Sequence, residues 1–402
     1  QLAGDGQTGV VGQRLTDTLV VLVTDSKSPT PRPVVGQKIV FQAVAGGTGA
    51  ILIPDTTLTD IDGRARSVWV LGSLVGAQRV EARVIATGAP GTLKTAFTAT
   101  ALADQPDTVF ALAGDNQSGV VGSILPTPLT VVVTDQFGNP LSGLTVTWSV
   151  PPGQGSVSAA TTVTSAAGQA SVTRTLGPGS GAQTASAAVT GVASSPVVFH
   201  QTAIAGGAAS LVIARGNNPP RTAPVGFQDS VVVRLLDANG NGVPNGSITW
   251  APAQGGAVAP ALSQTDANGF AFTFWTFGPA AGPQNVTATA APSGLQVTIS
   301  GTATASQPTT IARASGIPAS YTATVGQAVS PAPSVRVTDQ NGNPVQGVNV
   351  DFVVTSGNGQ VSDGSVTATV VTILTNASGI ATLSSWSLGS LAGANALEAR
   401  AF

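Results

Sequence analysis

One pattern returns four times along this chain, at intervals of roughly 100 residues, and it limits the fold more than any single residue does. Each copy begins with an apolar strand that ends in Asp and enters a turn: LVVLVTDSKSPTPRPVVG (19–36), LTVVVTDQFGNPLSG (129–143), VVVRLLDANGNGVPNG (231–246) and VRVTDQNGNPVQG (335–347). The aspartates are Asp25, Asp135, Asp237 and Asp339. A short alternating strand with an aromatic follows, at Ile39/Phe41, Val146/Trp148, Ile248/Trp250 and Val350/Phe352. Each copy then carries a strand that starts on Gly and closes on an apolar-Gly pair: GRARSVWVLG (63–72), GQASVTRTLG (168–177), GFAFTFWTFG (269–278) and GIATLSSWSLG (379–389).

Alternation with period two is what a sheet with one buried face requires, because successive side chains point to opposite sides. Asp-x-x-Gly-Asn-Pro is turn chemistry: Asp and Asn bond to nearby backbone, Gly takes positive φ, and Pro stops the ladder. No stretch has helical periodicity, so the expected class is all-β. About seven short strands per unit predict immunoglobulin-like β-sandwiches, four in tandem, in an elongated rod. The five Trp residues fit the same cores. Trp148 and Trp250 share the second landmark with Phe41 and Phe352, while Trp69, Trp275 and Trp386 each precede the closing Gly of the third by three residues. The second repeat has Arg174 in that last place; its aliphatic stem is expected to lie near Trp148 with the guanidinium in solvent. Trp386 follows one extra residue, which predicts a β-bulge.

The order D-x-x-G-N-P-x-x-G, V-x-W/F, then G-x-A-x-V-x-x-x-L-G resembles the bacterial Ig-like family 1 repeat, the type found in invasin- and intimin-like surface proteins. The resemblance covers essentially the whole chain. TDQFGNPLSGLTVTW and TDQNGNPVQGVNVDF match best, and the Pro-rich SKSPTPRPVVG of the first repeat departs most. It implies extracellular sandwich spacers, sometimes with an adhesive tip. Ala-rich, Pro-containing junctions suggest boundaries at 1–103, 104–205, 206–305 and 306–402, too short for flexible linkers. The first repeat is expected to have an incomplete first strand. The fourth is expected to lack its last strand, since LEARAF aligns with VEARVI and nothing like TLKTAFTATA follows, leaving an apolar groove and an unpaired edge. Either the protein continues or a strand from another molecule completes that repeat. The absence of Met reads as a processed product or an excerpt of a longer polypeptide.

Composition removes other functions. A net charge of −2, with Lys only at positions 27, 38 and 94, leaves no basic footprint for nucleic acid. No run of 18 apolar residues spans a bilayer. Without Cys there are no disulfides and no thiolate metal ligands. The single His200 has no second ligand nearby in sequence, and no repeat carries clustered inward acids, so no catalytic site and no cofactor are expected. Asp237, Asn239 and Asn241 sit at EF-hand spacing, but the twelfth position is Ile248, so they read as a tight turn before a weak Ca²⁺ site; Asp339, Asn341 and Asn343 read alike. Asn116, Asn245, Asn285 and Asn376 begin Asn-x-Ser/Thr sequons, as chance allows in so polar a chain. Together with what the resemblance implies, these observations predict a non-enzymatic stalk or fibre shaft of an exported bacterial surface protein. Its expected partners are neighbouring copies or further domains of the same protein. The alternative is an adhesin whose loops, above all SKSPTPRPVVG, bind a glycan or host protein.

Overall fold

The computed structural model describes residues 1–26, 29–86, 89–216 and 221–402, and among them there is strand and turn but no helix. The chain divides into two compact units, Gln1–Ile204 and Ala205–Phe402.

In the first unit, the first repeat builds a five-stranded sheet in the spatial order Gln7–Val10, Ala89–Leu102, Gly76–Ala86, Lys38–Ala45, Thr56–Leu58. Its first strand runs parallel to Ala89–Leu102, with Gln7 opposite Ala99, and the other pairings are antiparallel. A smaller sheet, Leu19–Leu22, Arg64–Val70 and Ile51–Ile53, supplies the second layer. Alternation along Lys38–Ala45 turns Ile39 and Phe41 inward, and along Arg64–Val70 it turns in Ala65, Ser67 and Trp69. The two sets meet Val80 and Phe97 in one core, where the Phe41 and Phe97 rings lie 6.4 Å apart. The second repeat repeats the plan, with Gln117–Val120 parallel to Val197–Ile204 and Trp148 6.1 Å from Phe199 in the core. In the first repeat only an isolated bridge, Ala3 to Val20, stands where the second has the strand Thr108–Ala113.

In the second unit, the third repeat again has a five-stranded sheet, Arg221–Pro224, Leu295–Thr304, Gly282–Ala291, Ser247–Pro252 and Leu262–Gln264. The fourth differs. Its sheet has three strands, Val370–Leu374, Asn349–Ser356 and Ala396–Ala401, and the last pairs on one side only. The corresponding strands Gly76–Ala86, Gly181–Ala188 and Gly282–Ala291 pair on both sides. Beside this free edge lies a groove of about 620 Å³ lined by Ile311, Tyr321, Phe352, Trp386, Leu397 and Ala399.

All five Trp residues are buried. Arg174 is not placed as expected: the whole side chain is sealed, guanidinium included. In the space that Trp69 and Trp275 fill elsewhere, its Nη2 donates to Gln154 O at 2.6 Å and to Gln183 Oε1 at 3.4 Å, and its Nη1 to Ser156 O at 3.3 Å and to Thr175 O. Converging carbonyls replace water around the charge, which makes burial tolerable. The irregularity before Trp386 is a break, not a bulge. Leu383 N–H donates to Pro333 O and Ser384 N–H to Ser362 O, so the backbone leaves the sheet of Ile380–Thr382 and enters that of Ser385–Ser387.

Candidate functional site

The Asp-x-x-x-Asn turn is the most repeated polar structure in the chain. Asp135 Oδ1 accepts from Phe137 N–H at 2.9 Å and Asn139 N–H at 2.8 Å; its Oδ2 accepts from Asn139 Nδ2 at 2.9 Å and from the N–H of Asp104, in the connection entering the repeat, at 3.0 Å. Asp237 binds Asn239 N–H, Asn241 N–H, Asn241 Nδ2 and Gly206 N–H in the same way, at 2.8 to 2.9 Å. Asp339 binds Asn341 N–H, Asn343 N–H, Asn343 Nδ2 and Ser306 N–H at 2.9 to 3.0 Å. Burial pushes these carboxyls up, but the Asn amide, the connecting N–H and the turn N–H groups outweigh it and leave all three below the usual range, Asp339 at about 2. In the first repeat Asp25 Oδ1 accepts from Arg32 N–H at 2.9 Å, across a longer loop whose Lys27 and Ser28 lie outside the described residues.

This geometry answers the calcium-loop spacing chemically. Both oxygens of Asp237 already face N–H donors, and the Asn241 amide turns its NH₂, not its oxygen, toward the carboxylate. Among the described residues no three His, Asp or Glu side chains gather as metal ligands do. His200 is exposed on its strand, Nδ1 3.7 Å from Asp115 Oδ1.

Residues 124–201 match the family described as bacterial Ig-like domain (group 1). The second repeat is a group 1 bacterial Ig-like domain. No curated protein matches the chain. Among solved structures, the Escherichia coli adhesin FdeC is 20% identical over 75% of this chain and 95% of its own, with a TM-score of 0.42. Invasin, a bacterial integrin-binding protein, is 17% identical over 94% and 72%, at 0.43. InvD of Yersinia pseudotuberculosis is 14% identical over 73% and 84%, at 0.40. At that distance none of them carries a functional assignment over to this chain.

Several working side chains of the Ig-like repeats escape the sequence reading. The closing Gly of the third landmark begins a loop, L/F-G-x-x-x-G-x-Q, stapled by its own last residue. Gln78 Oε1 accepts from Gly72 N–H at 2.8 Å while its Nε2 donates to Gly72 O and Leu74 O. Gln183 and Gln284 do the same at Gly177 and Gly278. The spacing was visible, but only the fold shows that these amides point inward. In the fourth repeat Asn395, one methylene shorter, binds Gly389 N–H at 3.1 Å and reaches Gly393 O instead. Glu81 was also missed: nearly sealed in its sheet, it meets Arg79, Arg83 and Lys94 at 3.1, 2.6 and 3.2 Å, and the Arg83 guanidinium holds its carboxyl below the usual range. Finally, the third repeat turns Phe270, Phe272 and Phe274 outward, with Arg234 stacked 5.0 Å above the Phe270 ring centre. At the corresponding positions the second repeat has Gln169, Ser171 and Thr173.

Proposed function

We propose that this chain is a non-enzymatic spacer of an exported bacterial surface protein, a stalk or fibre shaft made of four Ig-like sandwiches with boundaries at 1–103, 104–205, 206–305 and 306–402. The observation that carries it is the seating of the connections: Asp135, Asp237 and Asp339 each bind the backbone N–H of Asp104, Gly206 or Ser306, tying the incoming chain to the sandwich it enters. A connection tied to the sandwich it enters has fewer free residues in which to swivel. Low charge and polar surfaces suit an element that holds something else away from a cell without binding along its length. Electron microscopy of the purified chain tests this: straight particles of constant length are expected, and freely jointed beads would sink the reading.

The free edge of Ala396–Ala401 and its groove would accept a further strand, from a continuation of the same polypeptide or, in the filament reading, from another molecule that completes the fourth sandwich. Concentration-dependent assembly, abolished by a proline at Ala399, is the expected signature of the filament.

One observation favours an adhesin instead. Three outward Phe rings beside Arg234 are the kind of apolar patch that marks a binding face. Changing Phe270, Phe272 and Phe274 to Ser together should abolish binding to host cells or to a glycan array if this face is adhesive; unchanged binding would remove it.

A further inference from the structure

We propose that Asn139 and Asn343 are latches that lock each sandwich onto the one before it, by reading main-chain atoms of a preformed loop. The inference deepens the spacer reading and rests on it. In the first unit Asn139 Nδ2 donates to Ser73 O at 2.8 Å, and its Oδ1 accepts from Val75 N–H at 3.2 Å. In the second unit Asn343 Nδ2 donates to Pro279 O at 2.8 Å, and its Oδ1 accepts from Ala281 N–H at 2.9 Å. A planar carboxamide laid against a C=O and an N–H two residues apart is a two-point, directional contact. The same pairing recurs although the loops read Ser-Leu-Val in one case and Pro-Ala-Ala in the other.

Both halves of the contact are built before they meet. On one side, Gln78 and Gln284 staple the loops so that Ser73 to Val75 and Pro279 to Ala281 present fixed main-chain groups. On the other, Asp135 and Asp339 hold the Asn amides through Nδ2, at 2.9 and 3.0 Å, leaving one Nδ2 hydrogen and the carbonyl oxygen free to reach across. The same carboxylates hold the connecting N–H groups of Asp104 and Ser306. Connection, aspartate, asparagine and preceding loop therefore form one polar chain across the junction, and Asn139 within it is buried. In the first unit the fit is steric as well: a Cβ on Gly12 would lie 2.8 Å from the Phe137 ring of the same turn. Rigid, preformed partners are what give a small contact a defined geometry. The latch makes Asn139 and Asn343 positioning residues for the junction, distinct from the Asp residues that seat the connection.

The test uses the full chain with two labels in each unit, one per sandwich, and compares Asn139→Ala and Asn343→Ala with the parent. Hydrogen exchange at Val75 N–H is expected to rise roughly tenfold in Asn139→Ala, and at Ala281 N–H in Asn343→Ala, with the other junction unchanged. The label-to-label distance distribution should broaden only in the unit carrying the substitution. Exchange at core amides such as Val131 reports whether the sandwich stays folded; if it does not, Asn139→Ser replaces the Ala variant. A narrow parent distribution left untouched by the substitution, with Val75 still protected, overturns the latch alone. A parent distribution already as broad as that of jointed domains overturns the spacer reading instead.

Discussion

Arg174 Nη2 donates to the carbonyl of Gln154 at 2.6 Å, at the position where the first repeat buries Trp69. An arginine here does the work of a core aromatic by a different route: it fills the volume and gathers the carbonyls of Gln154, Ser156 and Thr175. Desolvation draws its pKa down, although a guanidinium stays charged at any ordinary pH. Replacing Arg174 by Ala leaves a void and several buried acceptors unpaired. We expect the second sandwich to lose about 3 kcal/mol or more, read from urea unfolding followed by hydrogen exchange in Val131 and Trp148. A loss under 1 kcal/mol would mean that water replaces the guanidinium without penalty.

The Gln staples should matter in proportion to their burial. Gln284 is sealed and makes three bonds to main chain. Gln284→Leu keeps the bulk and removes the bonds, at an expected cost of about 2 to 3 kcal/mol to the third sandwich. Thermal unfolding of single-substitution variants checks it, with the exposed Gln307 of the same unit, replaced by Leu, as the comparison.

Acid should loosen the sandwiches through their turn aspartates. Asp339 falls from 3.8 to about 2 on folding, and Asp135 and Asp237 are lowered too. A carboxyl with a depressed folded pKa contributes stability above its unfolded value and loses it as pH drops through the folded one. The contribution of Asp339, about 2 kcal/mol by this reckoning, is therefore fully present above roughly pH 5 and lost between about pH 4 and pH 2. Asp339→Asn should flatten that part of the stability profile measured by denaturant titration, leaving the neutral region less stable than in the parent.

Calcium should do nothing to the turns. Because both Asp237 oxygens are bound to N–H groups, a cation would have to break four hydrogen bonds to enter. The melting curve is expected to be the same in chelator and in millimolar calcium, and an upward shift in calcium would show that the Asp237, Asn239 and Asn241 turn rearranges into a ligand set.

What was legible in the sequence was whatever depends on local pattern. The alternation around Phe41, Trp148 and Trp275 predicts which rings go inward, and Asp-x-x-Gly-Asn predicts a turn closed on its own aspartate. What was hidden depends on atoms distant along the chain. Nothing near Arg174 announces that the carbonyl of Gln154, twenty residues earlier, will face its guanidinium. Nor does the sequence around Asn139 reveal that its amide reaches past its own turn to Ser73. The outward Phe270, Phe272 and Phe274 lie on the same alternation as the buried Trp275, and only the second face of the strand distinguishes them.

Since Asn139 and Asn343 recognise peptide groups and not side chains, the sequence of the loops they grip is free to drift while the grip persists. The second repeat carries both parts, the Asn139 hook and a loop stapled by Gln183, whereas the first has no asparagine in the turn of Asp25 and offers only the loop.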